Sequence, residues 1–262
     1  MKFIDQLHRT IVIQKTPERI VSLVPSQTEL LVDLGLESSL VGVTKFCVHP
    51  KHLRISKKVI GGTKKINVEK IKELQPDIIL CNKEENTKDI IEALKEIAPI
   101  HISDVSNIHD CFELIRMYGE LFKIEKAASS IVASIEEKRI NFQKKVETIK
   151  KQKVAYFIWK DPWMVVASGT FIDSMLREVS FENSFESENR YPEINLTDER
   201  LKDTDIILLS SEPFPFSEKH VLELKSKFPR KVIKIVDGEL FSWYGSRLLK
   251  SYTYFSKIIG YK

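Results

Sequence analysis

The sequence predicts an α/β protein of two similarly built lobes, each with a parallel sheet, and three observations carry that expectation. The first is an internal echo. Val68-Glu69-Lys70-Ile71 runs into Pro76-Asp77-Ile78-Ile79-Leu80, and Asp198-Glu199-Arg200-Leu201 runs into Thr204-Asp205-Ile206-Ile207-Leu208. Each copy has a short helix opening with an acidic residue, a polar turn and a buried strand. The second is the alternation of strand-length apolar runs with helix-period segments, which predicts a parallel sheet. The third is the stretch 124–151, which holds neither Gly nor Pro and lies where one half gives way to the other. Two such lobes imply a cleft.

In order, residues 10–14 alternate in a way that suits a small edge hairpin, and Pro17 precedes a buried strand at 20–24. Ser26 and Glu29 read as an S-x-x-E capping box, Leu30, Leu31 and Leu34 give helical spacing, and Gly35 suits the helix end. Strand 40–43, the pair Val59-Ile60 before Gly61-Gly62, a helix over 68–74 and strand 78–81 follow. Between 124 and 151, Ala127, Ala128, Ile131, Val132, Ile135, Phe142, Val146 and Ile149 recur at steps of three and four. That predicts one amphipathic helix roughly 40 Å long at about 1.5 Å per residue, suited to bridging two lobes; an ordinary surface helix broken near Lys138-Arg139 is the alternative. Strands at 154–158 and 164–167 and a helix over 171–179 come next, then a polar stretch, 182–193, expected to be the least structured part of this half. Strand 206–209, helix 217–228, strand 232–236 and a helix over 246–259 complete the chain. The intervals expected are 1–18 as an N-terminal extension with the hairpin, 19–123 as the N-terminal lobe, 124–150 as the linking helix and 151–262 as the C-terminal lobe.

With 262 residues, 42% of them hydrophobic, the chain can bury one large core or two small ones. Its 41 basic and 37 acidic residues are interspersed, for a net charge of +4, and no basic tract tracks phosphates, which argues against a nucleic-acid partner. Cys47, Cys81 and Cys111 are odd in number and lack CxxC spacing, so no disulfide framework is expected. No apolar run approaches the roughly 20 residues that cross a bilayer. Asp5 falls where a secretion signal needs an apolar run, so no signal peptide is read in the chain as written. No G-x-S-x-G, P-loop, GxGxxG or HExxH occurs, Gly61-Gly62-Thr63 is too short to cradle a phosphate, and Glu84-Glu85 reads as solvated; no catalytic residue is expected. Cys47-x-His49-x-x-His52 offers thiolate and imidazole, but Pro50 interrupts it and no fourth ligand is placed, so no metal site is expected.

Arg19-Ile20-Val21-Ser22-Leu23, then the run from Glu29 to Gly35, Val41-Gly42-Val43-Thr44, Ile60-Gly61-Gly62-Thr63, Asn67-Val68-Glu69-Lys70-Ile71 and Pro76-Asp77-Ile78-Ile79 resemble the N-lobe signature of class III substrate-binding proteins of ABC importers, receptors for cobalamin, haem or ferric siderophores. The resemblance runs from about Arg19 to the end. It implies two Rossmann-like lobes joined by a single long α-helix, 124–150, with the ligand in the cleft between them and little closure, since a continuous helix has no loop hinge. It also implies a monomer in the periplasm or cell envelope, with an ABC permease as partner. The ligand implied is a metal-containing chelate, first cobalamin or a related corrinoid, second haem or a ferric siderophore, with no cofactor and no catalysis. A cytoplasmic ligand sensor or chaperone of the same fold is the reading from another class. In the family one surface glutamate per lobe meets permease arginines; by position these are Glu69 and Glu199. An exposed carboxylate at a helix N-terminus is also favoured by the dipole alone, by about 0.3–1 kcal/mol.

Open α/β sheets bind ligands at the carboxyl ends of their strands, which here means Pro25-Ser26-Gln27, Lys45-Phe46-Cys47-Val48-His49, Gly61-Gly62-Thr63 and the loop 82–86 in the first lobe. In the second it means 159–163, 211–214 and 242–247, where all three tryptophans fall. Rigid indole faces on loops suit a large, flat, partly apolar ligand such as a corrin or porphyrin. The residues expected to line the site are Ser26, Lys45, Phe46, His49, Thr63, Trp159, Trp163, Phe214, Trp243, Tyr244 and Arg247. Trp163, next to Met164, belongs equally well to the core. The segment from Trp243 to Arg247 resembles a cleft segment of cobalamin receptors, and the Arg247 fork suits a carboxylate, phosphate or amide; its alternative is an exposed residue in a first helical turn. Few arginines fall in these loops, which favours a less charged ligand.

Overall fold

In the computed structural model, which describes residues 1–259, the apolar runs become two separate parallel sheets, each in its own compact unit. The first unit comprises Met1–Val105, His109–Ile135 and Tyr244–Arg247. Strands β1 (Lys2–Ile4) and β2 (Thr10–Val12) form an antiparallel hairpin, with Phe3 opposite Ile11, so the stretch 10–14 supplies only its second strand. The sheet proper is built from β3 (Ile20–Ser22), β4 (Leu40–Val43), β5 (Lys58–Val59), β6 (Ile78–Asn82) and β7 (Ile100–Ser103), in the order β5-β4-β3-β6-β7, all parallel. Its helices are α1 (Pro25–Asp33), α2 (Leu53–Ser56), α3 (Val68–Glu73), α4 (Lys88–Leu94) and α5 (Ile108–Phe122). The central strands β3 and β6 are buried throughout because both sheet faces are covered, which is why they read as unbroken apolar runs. Val21, Leu23, Ile60, Ile71, Ile79, Cys81 and Leu94 form one core cluster of this unit.

Two local devices set where this unit's loops begin. The Asp5 carboxylate accepts hydrogen bonds from the backbone N–H groups of Leu7, Arg9 and Ile102 and a fork from the Arg9 guanidinium, fastening the hairpin to β7. The capping box expected at Ser26 and Glu29 is not formed. Pro25, pre-set for a first helical turn, starts α1 two residues earlier with Val24 as the cap, so both residues lie inside the helix and are buried. Gly35, at φ +83°, ends the helix as expected, in the left-handed region where a side chain would be strained.

Helix α6 (Glu125–Val146) is continuous through Lys138-Arg139, slightly shorter than the stretch read from the sequence; it belongs to the first unit through Ile135 and to the second from Glu136. The second unit holds Glu136–Trp243 and the chain from Leu248 onward, with Ser106–Ile108. Its strands are β8 (Gln152–Trp159), β9 (Met164–Val165), β10 (Phe181–Asn183), β11 (Ile206–Ser210) and β12 (Val232–Val236). They run β10-β8-β11-β12 in parallel, with β9 antiparallel to β8. The helices are α7 (Phe171–Glu178), α8 (Arg200–Asp203), α9 (Glu218–Lys227), α10 (Gly238–Ser242) and α11 (Leu248–Ile258). The polar stretch 182–193 is more ordered than expected. Phe181, Asn183 and Phe185 alternate inward, the Asn183 amide donates to Asp173 and to the Val166 carbonyl, and isolated bridges join Glu193 to Met164 and Asn189 to Ser168. Within this unit Glu178 accepts from Arg139, Gln143 and Tyr252, which pins α6 and α11 onto the end of α7. The segment Tyr244–Arg247 packs with the first unit although its sequence neighbours on both sides belong to the second, so 151–262 is not one uninterrupted lobe.

Candidate ligand-binding loops

In the first unit the loop after β4 is a rigid turn. The Thr44 hydroxyl accepts from the Phe46 N–H at 3.2 Å, the Thr44 carbonyl from Cys47 N–H at 3.1 Å and the Gly61 carbonyl from Lys45 N–H at 2.7 Å. Cys47 is fully buried beneath it, its sulfur 3.2 and 3.3 Å from the hydroxyls of Thr28 and Thr44. Burial pushes the Cys47 thiol up, against the pull of those hydroxyls. The turn leaves Phe46 48% exposed, with the Lys45 ammonium 5.0 Å from its ring centroid, and leaves His49 half-buried. His52 pairs with Glu37 at 2.8 Å, and among the described residues no group of His, Cys, Asp and Glu is disposed to hold a metal ion.

The loop after β6 folds on itself. Asn82 accepts from the N–H groups of Glu84 and Glu85, and Asn86 donates to the carbonyl of Thr63, which is itself buried. Burial raises the Glu85 carboxyl, opposed chiefly by the Lys64 charge. Ser26 is buried in α1.

Behind these loops lies a buried polar network that local patterning does not reveal. The Gln27 amide donates to the Tyr244 hydroxyl at 2.9 Å and to Ser103 at 2.5 Å, and accepts from the Tyr118 hydroxyl at 2.6 Å. Beside it the Arg247 fork meets the Glu29 carboxylate at 2.7 and 3.1 Å. Arg247 is 5% exposed; its guanidinium is committed to Glu29 rather than offered to solvent. Gly245 donates its N–H to Cys111 at 3.1 Å and lies against Leu30, at φ +91°. The legible signal for Glu29 was a carboxylate inside an apolar helical run.

The carboxyl ends of the second sheet carry aromatics. Trp159, 39% exposed, meets Phe214 edge-on at 5.6 Å. Phe214 contacts Phe216 at 4.7 Å, Trp163 stacks on Phe216 at 6.1 Å and 10°, and His220 packs edge-on to both phenylalanines. Trp163 and Phe214 are half-buried and pack against the core cluster of this unit, while Trp159 is the exposed member. Trp243 is 8% exposed; its indole N–H donates to Glu212 at 3.1 Å, and Ser242 donates to the same oxygen at 3.0 Å. It is held as structure, with little face presented. Glu69 stands exposed in the first turn of α3, and Glu199, exposed at the start of α8, is paired with Lys202 at 2.6 Å.

Residues 20–230 match the family model described as Periplasmic binding protein. An ABC transporter substrate-binding lipoprotein of Bacillus subtilis, itself uncharacterized, is 31% identical over 205 residues, 75% of this chain and 64% of the relative; the chain thus spans just under two thirds of that relative's length. A vitamin B12-binding protein of Vibrio parahaemolyticus is 23% identical over 74% of this chain and 70% of its own length. A solved structure of a possible iron-binding (periplasmic solute-binding) protein from Staphylococcus epidermidis superposes with a TM-score of 0.80 at 23% identity, covering 94% of this chain and 100% of that one; at that identity it attests the fold alone.

Proposed function

Since this chain belongs to the Periplasmic binding protein family, we propose that it is the solute-binding receptor of an ABC importer and that its solute is a metal-containing chelate, cobalamin or a related corrinoid first. The observation that supports this is the pair Trp159 and Phe214. An indole 39% exposed, braced edge-on by a second ring on a loop at the carboxyl end of the second sheet, offers a rigid apolar face of the kind a macrocycle covers. A second reading, haem or a ferric siderophore, is favoured by the cationic turn at Lys45 beside exposed Phe46. The cell envelope is the place of work that follows, with Glu69 and Glu199 as contacts for the permease.

The test is a tryptophan-fluorescence titration with cyanocobalamin, haem and a ferric siderophore in parallel, corrected for ligand absorbance and checked by calorimetry. Saturable binding of one is expected, and Trp159→Ala should weaken it by roughly 1–2 kcal/mol with the melting temperature unchanged. Silence with all three would sink the receptor reading. Charge reversal at both Glu69 and Glu199 should spare that affinity and abolish uptake in cells, and normal uptake would remove the docking assignment.

A further inference from the structure

The turn after β4 carries a combination that the fold does not need for itself. Its backbone is held by the Thr44 hydroxyl, the Gly61 carbonyl and a bond from the Val48 N–H to the Phe46 carbonyl at 2.8 Å, and it is seated on buried Cys47. The exposure of Phe46 is therefore a fixed display and not slack in a loop. Gly62 provides the room: a Cβ there would stand 3.1 Å from the Phe46 ring and 3.5 Å from Lys45 Cε, so both side chains lie across this glycine.

The charges around the ring are unbalanced. Lys45 stands over Phe46, and Arg54 donates to the Lys45 carbonyl at 3.4 Å; neither has a carboxylate partner among the described residues. Neighbouring cations are occupied, Lys64 by the Glu84 carbonyl, Lys57 by the Glu37 carbonyl and Lys83 by Asp104. The one arginine among the expected ligand loops, Arg247, is spent on Glu29. A neutral ligand laid on Phe46 would strip water from two positive groups and return nothing, whereas an oxyanion at its edge would replace that water with charge-assisted hydrogen bonds.

We propose that Lys45, Arg54 and Phe46 form an anion-selective subsite, Phe46 taking an apolar face of the ligand and the two cations taking an oxyanion on its periphery, so that the preferred chelate is an anionic one. This rests on the receptor reading, moves haem or an anionic ferric siderophore ahead of cobalamin within it, and reverses the expectation, drawn from the scarcity of arginines in the loops, of a less charged ligand. Gly62 is the residue that keeps the platform open.

The experiment uses matched probes on the whole chain: haem, with its two free carboxylates, against haem dimethyl ester, and an anionic ferric tris-catecholate against a neutral ferric tris-hydroxamate, with cyanocobalamin alongside. The anionic member of at least one pair should bind about tenfold or more tighter than its neutral counterpart. K45Q/R54Q should erase that difference by weakening the anionic member alone, and raising the salt should do the same to the unaltered chain. G62A, which shifts the ring and removes no charge, should weaken both members of the pair together. Lys45 and Arg54 are exposed, so an unchanged melting curve for K45Q/R54Q controls for folding. Equal binding of charged and neutral members, or K45Q/R54Q affinities equal to those of the unaltered chain, would overturn the subsite and leave the receptor intact. No saturable binding of any probe would overturn the receptor reading and the subsite with it.

Discussion

Removing the guanidinium of Arg247 should cost the protein more stability than almost any other single truncation. The pair it forms with Glu29 is bidentate, at 2.7 and 3.1 Å, with side chains 6% and 4% exposed. Arg247→Ala takes from a buried carboxylate its bidentate guanidinium partner, a defect worth about 3–5 kcal/mol. At about 2–4 °C per kcal/mol for a chain of this size, the melting temperature should fall by roughly 6–20 °C. Arg247→Lys restores a charge but not the fork, and should recover only part of the loss. The double variant Glu29→Met/Arg247→Met removes both charges and fills similar volume, so it should be far more stable than either single truncation. Thermal and urea unfolding followed by far-ultraviolet circular dichroism would compare these three variants with the parent. An Arg247→Ala protein within about 1 kcal/mol of the parent, or a double variant no better than the single, would refute the claim that desolvated charge dominates here.

Two further outcomes follow from buried groups. His101 is 2% exposed, edge-on to Tyr118 at 5.3 Å, with neither ring nitrogen hydrogen-bonded to protein, and burial lowers its pKa from 6.5 to about 4, the Asp5 charge opposing and the Arg9 charge adding to the shift. The folded state thus keeps the ring neutral where the unfolded chain would protonate it; the contribution is complete above pH 6.5 and is lost as pH falls toward about 4, by roughly 3 kcal/mol. His101→Phe should flatten that acid limb of the stability curve, and an unchanged limb would exclude His101 as its source. Gly238→Ala places a Cβ against the Ser210 hydroxyl, 2.7 Å from Glu212 Cγ and 3.0 Å from the Glu212 backbone nitrogen. The expected loss is about 1–3 kcal/mol, with a change in Trp243 emission as Glu212 is displaced; parental melting and emission would show that the site relaxes freely.

Much of the architecture was legible because burial on both faces of a parallel sheet leaves apolar runs such as Ile206–Ser210, and because a helix as long as α6 tolerates no Gly or Pro. What escaped were features decided at long range. Ser26 and Glu29 have capping-box spacing, but Pro25 takes the first turn and the partner of Glu29 arrives 218 residues later. Trp159 and Trp163 stand four apart in similar company; only Phe214 and Phe216, from another loop, decide that the first shows its face and the second stacks inward. Strand β10 hid in a polar stretch because an edge strand needs only alternate residues, here Phe181 and Asn183, to face inward. The exposed display of Phe46 was visible as an aromatic in a loop, but the fixed turn beneath it depends on Cys47 and Thr28, which sequence spacing does not join.

The placement of Tyr244–Arg247 bears on how the chain is made. As a polypeptide emerges from its N-terminus, the first unit acquires its sheet early, but the seats for Tyr244 beside Gln27, Gly245 beside Cys111 and Arg247 beside Glu29 stay vacant until nearly the whole chain has been synthesised. Until then Glu29 lacks the guanidinium fork it meets in the finished protein, and Gln27 and Cys111 lack their contacts to Tyr244 and Gly245, so a nascent or truncated chain ending at 135 is an unfinished domain. Maturation of the N-terminal half is thereby deferred to the last stage of synthesis, and quality control that probes its exposed core would in effect be reading whether the C-terminal end has been delivered.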